Sequence, residues 1–140
     1  MQNIVLIPTY NEIENIEKII RSVFSLSVAF HVLIIDDGSP DGTADVVKKL
    51  QATFPYRLFL LERKGKQGLG TAYIAGFKWA LQNGYDFIFE MDADFSHNPI
   101  DLIRLHKACT EDGADMSVGS RYVKGGKVEN WPMNRILISY

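Results

Sequence analysis

The sequence predicts an α/β domain: a mainly parallel sheet with helices on both faces. Two observations carry this. Short apolar runs rich in β-branched residues alternate with stretches of helical period, and turn-forming clusters separate them. The fourth run, Phe87-Ile88-Phe89-Glu90, passes directly into Met91-Asp92-Ala93-Asp94, which delivers two carboxylates to a loop where a parallel sheet places its ligands.

The first strand is Ile4-Val5-Leu6-Ile7, a run suited to burial on both faces and ended by Pro8. Ile13, Ile16, Ile19, Ile20, Val23 and Phe24 then recur at helical spacing, with Thr9 or Asn11 as the candidate cap. His31-Val32-Leu33-Ile34-Ile35 is a second strand, and Asp36 to Thr43 is dense in turn residues. A helix carrying Ala44, Val47, Leu50 and Phe54 follows. Tyr56 to Leu61 reads as the third strand, and Glu62 to Gly68 as a polar loop.

The next helix carries Leu69, Ala72, Tyr73, Gly76, Trp79 and Ala80, whose small members allow close packing on a sheet. After the fourth strand, Asn98-Pro99 is a cap followed by proline at the first helical position. Met116 to Gly119 reads as a fifth strand. Beyond Arg121 the pattern loosens, and the apolar residues Ile136, Leu137 and Ile138 suggest an unfinished element, so a C-terminally truncated chain is expected.

At 140 residues and 46% hydrophobic content, residues 1–140 are expected to form one domain with one sizeable core. A net charge of −2 without a basic run argues against nucleic acid as a partner. Cys109 is the sole cysteine, which excludes an internal disulfide and disfavours a cysteine-based zinc site. No apolar stretch approaches the roughly 20 residues that span a bilayer. A cytoplasmic setting is therefore expected.

In extended chain, residues two apart point the same way, so Asp92 and Asp94 can address one cation. Mg²⁺-like ions take one or two carboxylates and complete their shell with water and phosphate. Read alone, the pair suits ordinary turn acids better, because Asp is common in turns. Position at a strand end favours the cation. Parallel strands bring the loops Pro8 to Glu12, Asp36 to Thr43, Lys64 to Gly70 and Asp92 to Pro99 to one rim. A nucleotide there would meet Tyr10 as a packing surface, with Glu12 and Asp37 as acceptors. Glu12 also suits a first-turn helix acid, and Asp37 a turn former. Lys64 and Lys66 either approach phosphate or lie in solvent. His97 reads as a local backbone partner. No Gly-x-Gly-x-x-Gly or Walker-type sequence follows the first strand, which argues against a dinucleotide dehydrogenase or a P-loop enzyme.

Taken together, Pro8-Thr9-Tyr10-Asn11-Glu12, Asp36 to Thr43, Gly68-Leu69-Gly70-Thr71-Ala72, Met91 to Pro99 and Gly119-Ser120-Arg121-Tyr122 resemble family 2 glycosyltransferases of the GT-A, Rossmann-like fold. The likeness is greatest to dolichol-phosphate and polyprenyl-phosphate mannosyltransferases. It implies a metal-dependent, inverting transfer of a sugar, mannose from GDP-mannose, to a polyprenyl or dolichyl phosphate. Implied nucleotide contacts are Pro8, Tyr10, Glu12, Ile35, Asp37, Asp92, Ala93 and Asp94. Implied ligands of Mg²⁺ or Mn²⁺ are Asp94 and Asp92. Ser96 stands where some members carry a ligating Gln, which leaves that ligand open.

The resemblance also places Arg121 beside the donor phosphates, as a catalytic group with Asp92 and Asp94, and Arg135 and Ser139 at the acceptor phosphate. In a helical terminal segment the last two would share a face. A lipid acceptor implies work at the cytoplasmic face of a membrane, and oligomeric state is left open. The alternatives are a relative that uses a UDP-sugar and a sugar-hydroxyl acceptor, and a nucleotide-sugar-binding module without turnover.

Overall fold

The computed structural model describes residues 2–65, 67–94, 98–110, 116–118, 121–123 and 136–139, with side chains through residue 107 except at Leu69. The strands are β1 (Asn3–Thr9), β2 (Phe30–Asp36), β3 (Leu58–Glu62), β4 (Phe87–Glu90), β5 (Met116–Val118), β6 (Arg121–Val123) and β7 (Ile136–Ser139). The helices are α1 (Ile16–Phe24), α2 (Thr43–Thr53), α3 (Leu69–Gln82) and α4 (Asp101–Thr110). Among the described residues the sheet runs β3-β2-β1-β4-β7-β5-β6. Every pairing is parallel except β5 with β6.

Side-chain alternation along the strands sorts the helices onto two faces. Val5, Ile7, Val32, Ile34, Phe87 and Phe89 pack with α1, α2 and α4 through Ile16, Ile20, Val47, Leu50, Leu102 and Leu105. Ile4, Leu6, Leu33, Ile35 and Ile88 face α3, which contributes Ala72, Phe77 and Ala80. Both sides of β1 and β2 are thus closed, which explains their continuous apolar runs. The helices on both faces and the mainly parallel sheet agree with the sequence reading. So does the reversal of strand order at β1 and β4, which opens a crevice beyond their carboxyl ends.

Four local expectations need correction. β3 begins at Leu58, because Tyr56 adopts φ 65° and is 87% exposed, in a left-handed turn rather than a strand. Neither Thr9 nor Asn11 caps α1. Thr9 stays in β1 and gives its hydroxyl to Asp36, Asn11 turns the chain with φ 56°, and the helix starts at Ile16. Ile13, placed by its spacing on the helical stripe, precedes the helix and is 43% exposed. Finally, Ile136–Ser139 is a strand inserted between β4 and β5, not a helix. Arg135 itself lies outside the described residues.

Candidate active site

The loops after β1, β2, β3 and β4 meet at the carboxyl edge of the sheet and enclose a cleft of about 300 Å³. Its lining is Pro8, Thr9, Tyr10, Glu12, Asp37, Gly68, Ala72, Asp92, Ala93 and Asp94. Seven of the eight residues expected at a nucleotide are therefore together. The eighth, Ile35, is not in the lining: its side chain is wholly buried beneath α3, against Gly76.

The first wall is set by Asp36, whose carboxylate is nearly inaccessible and accepts three hydrogen bonds. They come from the Thr9 hydroxyl at 2.7 Å, the Ser39 amide at 2.9 Å and the Ser39 hydroxyl at 2.6 Å. Three acceptor contacts satisfy a buried carboxylate that would otherwise be costly. The same loop ties down the chain after β1. Ser39 Oγ accepts from the Asn11 amide at 2.9 Å, Thr43 Oγ1 from the Glu12 amide at 3.1 Å, and Asp41 from the Ile13 amide at 3.1 Å. Tyr10 and Glu12 are held at the cleft by these bonds.

Asp37 is gripped from the β3 side. Arg63 donates from Nε to Oδ1 at 2.7 Å and from Nη2 to Oδ2 at 2.9 Å, a fork in which both side chains are largely buried. The Arg63 hydrogen bonds hold the Asp37 carboxyl below its ordinary range, against the opposing effect of burial. Nη2 also reaches Thr71 Oγ1 at 3.1 Å, at the start of α3. Gly38, at φ +72°, lies so close to Gly65 that a Cβ would come within 3.0 Å of the Gly65 nitrogen. The loops after β2 and β3 therefore form one unit.

The acidic wall follows β4. The Met91 amide donates to the Leu6 carbonyl at 3.0 Å, so β4 stays tied to β1 up to the residue before Asp92. Asp92 is half-buried and accepts from the Tyr73 hydroxyl through Oδ1 at 3.0 Å, while Asp94 is exposed. Burial, with the Asp92, Glu90 and Asp94 charges adding to it, pushes the Tyr73 hydroxyl far up, so it stays protonated and donates. Burial also raises Glu12. Its bond with Asn15 opposes the rise, and repulsion from Asp94, Asp41 and Asp92 adds to it. The cleft is thus anionic enough to favour a cation.

Asp92 and Asp94 offer the one or two hard oxygen donors that a Mg²⁺-class ion takes from protein when phosphate and water complete its shell. The donor set fits such an ion. Among the described residues no group of three or more His, Cys, Asp or Glu is gathered to cage one. Ser96 and His97 lie outside the described residues, as does Lys66, and Lys64 is exposed. Arg121 opens β6 opposite Val118, and Ser139 closes β7.

Arg63, Thr71 and Tyr73 are the contributors that sequence reasoning missed. Arg63 passed as one cation of a polar loop. The available signal was Asp36-Asp37 at the end of a buried strand, since two adjacent acids there need donors. Tyr73 passed as a core position, although a hydroxyl on that stripe also needs a partner.

A cleft at the strand-order reversal, with an anionic wall after β4, defines a doubly wound α/β protein with its ligand site at the carboxyl edge of the sheet. The chain matches the family described as "Glycosyl transferase family 2" over residues 4–139, and it belongs to that family. It is 48% identical over 138 residues to the polyprenol monophosphomannose synthase of Mycolicibacterium smegmatis, covering 99% of this chain and 52% of that protein. It is 46% identical over 140 residues to the undecaprenyl-phosphate mannosyltransferase of Micrococcus luteus, covering 100% of this chain and 56% of that protein. The chain thus spans about half the length of these curated relatives. A solved mannosyltransferase from Pyrobaculum calidifontis, in complex with GDP-Man and Mn²⁺, shares the fold with a TM-score of 0.70 at 24% identity, over 86% of this chain and 36% of that one.

Proposed function

We propose that this chain forms the donor-binding part of an inverting glycosyltransferase that moves mannose from GDP-mannose to a polyprenyl or dolichyl phosphate. The observation that carries the reading is the convergence of Asp92 and Asp94 with Pro8, Tyr10, Glu12 and Asp37 on one cleft at the switch point of the sheet. The names of the relatives support the sugar and the lipid acceptor, and the Pyrobaculum calidifontis complex supports GDP-mannose and Mn²⁺.

In this reading Tyr10 packs on the nucleoside, and Glu12 and Asp37 accept from its base or ribose donors. Asp94, with Asp92, holds Mg²⁺ or Mn²⁺, which supplies positive charge to the donor diphosphate. Arg121 is assigned to the leaving diphosphate, and Arg135 and Ser139 to the acceptor phosphate. An acceptor phosphate oxygen attacks the anomeric carbon as the bond from that carbon to the diphosphate oxygen breaks, which inverts the centre. A phosphate monoester is already largely ionised near neutral pH, its second pKa being about 6. No side chain has to remove a proton.

A lipid acceptor places the work at a membrane surface. Among the described residues no helix is long and apolar enough to cross a membrane. Calorimetric titration with GDP and UDP, with and without Mn²⁺, tests the donor half of this reading. Metal-dependent GDP binding that Asp94→Ala abolishes is the expected result. A preference for UDP would overturn the mannosyl donor, and nucleotide binding indifferent to both metal and Asp94 would overturn the site.

A further inference from the structure

Tyr73 stands on α3, between the fully packed Ala72 and the close approach of Gly76 to Ile35, so the helix has little freedom to move its hydroxyl. That hydroxyl donates to Asp92 Oδ1 at 3.0 Å. Asp92 therefore reaches the cleft with its carboxylate tethered through one oxygen that already carries a donor. Oδ2 is left as its stronger acceptor. Asp94, two residues on, has greater exposure to the cleft mouth.

Cations differ in what they ask of such a carboxylate. Ca²⁺ accepts six to eight oxygens and readily takes a carboxylate through both, whereas Mg²⁺ demands near-octahedral single contacts. Mn²⁺ shares the octahedral oxygen preference. A carboxylate tethered through one oxygen suits the small octahedral ions and is a poor chelate for the larger one. Resting on the reading of this cleft as a metal-diphosphate site, we propose that Tyr73 is a positioning residue that tethers Asp92 through Oδ1, leaves Oδ2 as its stronger donor to a cation and so biases the site toward Mg²⁺ and Mn²⁺ over Ca²⁺. Its chemistry is that of an outer partner that orients a ligand without touching the ion.

The test is Mn²⁺ binding in the presence of GDP, read by the loss of the free-ion electron paramagnetic resonance signal and repeated with Ca²⁺ as competitor. Tyr73→Phe is compared with the unaltered protein, and Tyr73→Leu removes the same donor in a second way. Both variants are expected to bind Mn²⁺ about tenfold more weakly, the scale seen when outer partners of a ligand are lost, while Ca²⁺ competes several-fold better against Mn²⁺. Asp92→Asn in the Tyr73→Phe background is expected to erase that gain for Ca²⁺, because the effect runs through the second carboxylate oxygen. An unchanged ratio of Ca²⁺ to Mn²⁺ affinity in both Tyr73 variants, with Mn²⁺·GDP bound normally by the unaltered protein, overturns the role of Tyr73 alone. Failure of the unaltered protein to bind Mn²⁺ with GDP overturns the reading of the site and the proposal with it.

Discussion

Arg63 closes a two-bond fork on Asp37, at 2.7 and 2.9 Å, and in doing so locks the loop after β2 to the loop after β3. Its amide also donates to the Asp36 carbonyl at 2.8 Å, and its guanidinium reaches Thr71 on α3. One side chain thus sets the position of an acid that lines the cleft and of the helix that forms its opposite edge. The pair is nearly buried, so removing one partner leaves the other charge without compensation.

Arg63→Met is therefore expected to cost about 2 kcal/mol in urea unfolding, and Arg63→Lys to recover only part of it, because an ammonium cannot reproduce the fork. In an Asp37→Asn background the same Arg63→Met change should cost clearly less, since the two residues act as a unit. Equal costs in both backgrounds would show that the fork contributes nothing to stability. Nucleotide affinity is expected to fall with Arg63→Met, and calorimetry on the folded variant measures it.

The depressed Asp37 carboxyl makes a signed prediction about pH. A group whose folded value lies below its unfolded one contributes stability that is complete above the unfolded value, near 3.9 for Asp, and is lost as pH falls through the folded value. Thermal melts from pH 7 down to pH 3 should show an acid-side loss. Asp37→Asn should be less stable at pH 7 but flatter below about pH 4. Parallel acid limbs in the two proteins would contradict the assignment.

Glu12 carries the opposite sign. Burial and three neighbouring carboxylates raise it, so the folded state binds its proton more tightly than the unfolded chain, and stability falls as pH rises through that window. Glu12→Gln is expected to raise stability at pH 7 by about 0.5 kcal/mol, in the range that relief of surface repulsion gives, with no gain at pH 4. The same substitution should weaken Mn²⁺·GDP binding. Strain relieved by the ligand is a recurrent cost of a functional cleft. A variant less stable at pH 7 would mean that the Glu12 side chain is held by attraction rather than tolerated against repulsion.

How much of this was legible beforehand depended on the type of contact. The buried runs of β1 and β2 announced themselves because both faces of each are covered, so every residue is apolar. Asp92 and Asp94 stood out because they end such a run, and the order of the motifs carried the family. Partners distant in sequence were not readable: Arg63 meets Asp37 across 26 residues and Tyr73 meets Asp92 across 19, and no periodicity encodes either. Backbone reversals were hidden for a different reason. Tyr56 takes positive φ against the preference of a bulky residue while its side chain stays exposed, so no apolar pattern marks the turn, whereas Asn11 is of a type that visits this region more readily than most. The strand β7 was lost because three apolar residues in a row fit a buried strand and a buried helix turn alike.

Two glycines of α3 separate packing from propensity in one experiment. A Cβ on Gly76 would meet Ile35 Cδ1 at 2.8 Å, Ile35 Cγ1 at 3.3 Å and Leu6 Cδ1 at 3.3 Å. Both neighbours are wholly buried, so their ends have no solvent to swing into. Alanine gains about 1 kcal/mol over glycine inside a helix, but overpacking a closed core costs about 1–3 kcal/mol. Gly76→Ala is therefore expected to lose about 1 kcal/mol net. On Gly70, at the first turn of the same helix, a Cβ would meet nothing within 4 Å. Gly70→Ala should gain about 0.5 kcal/mol, with the propensity effect unopposed but close to a helix end. Opposite signs in urea unfolding would establish that α3 is seated on the sheet at Gly76. Because Tyr73 lies one turn before that contact, Gly76→Ala should also loosen the hold on Asp92 and weaken Mn²⁺·GDP binding, while Gly70→Ala leaves Asp92 held. A stabilising Gly76→Ala would show that the helix stands further from β1 and β2 than the close approach to Ile35 implies.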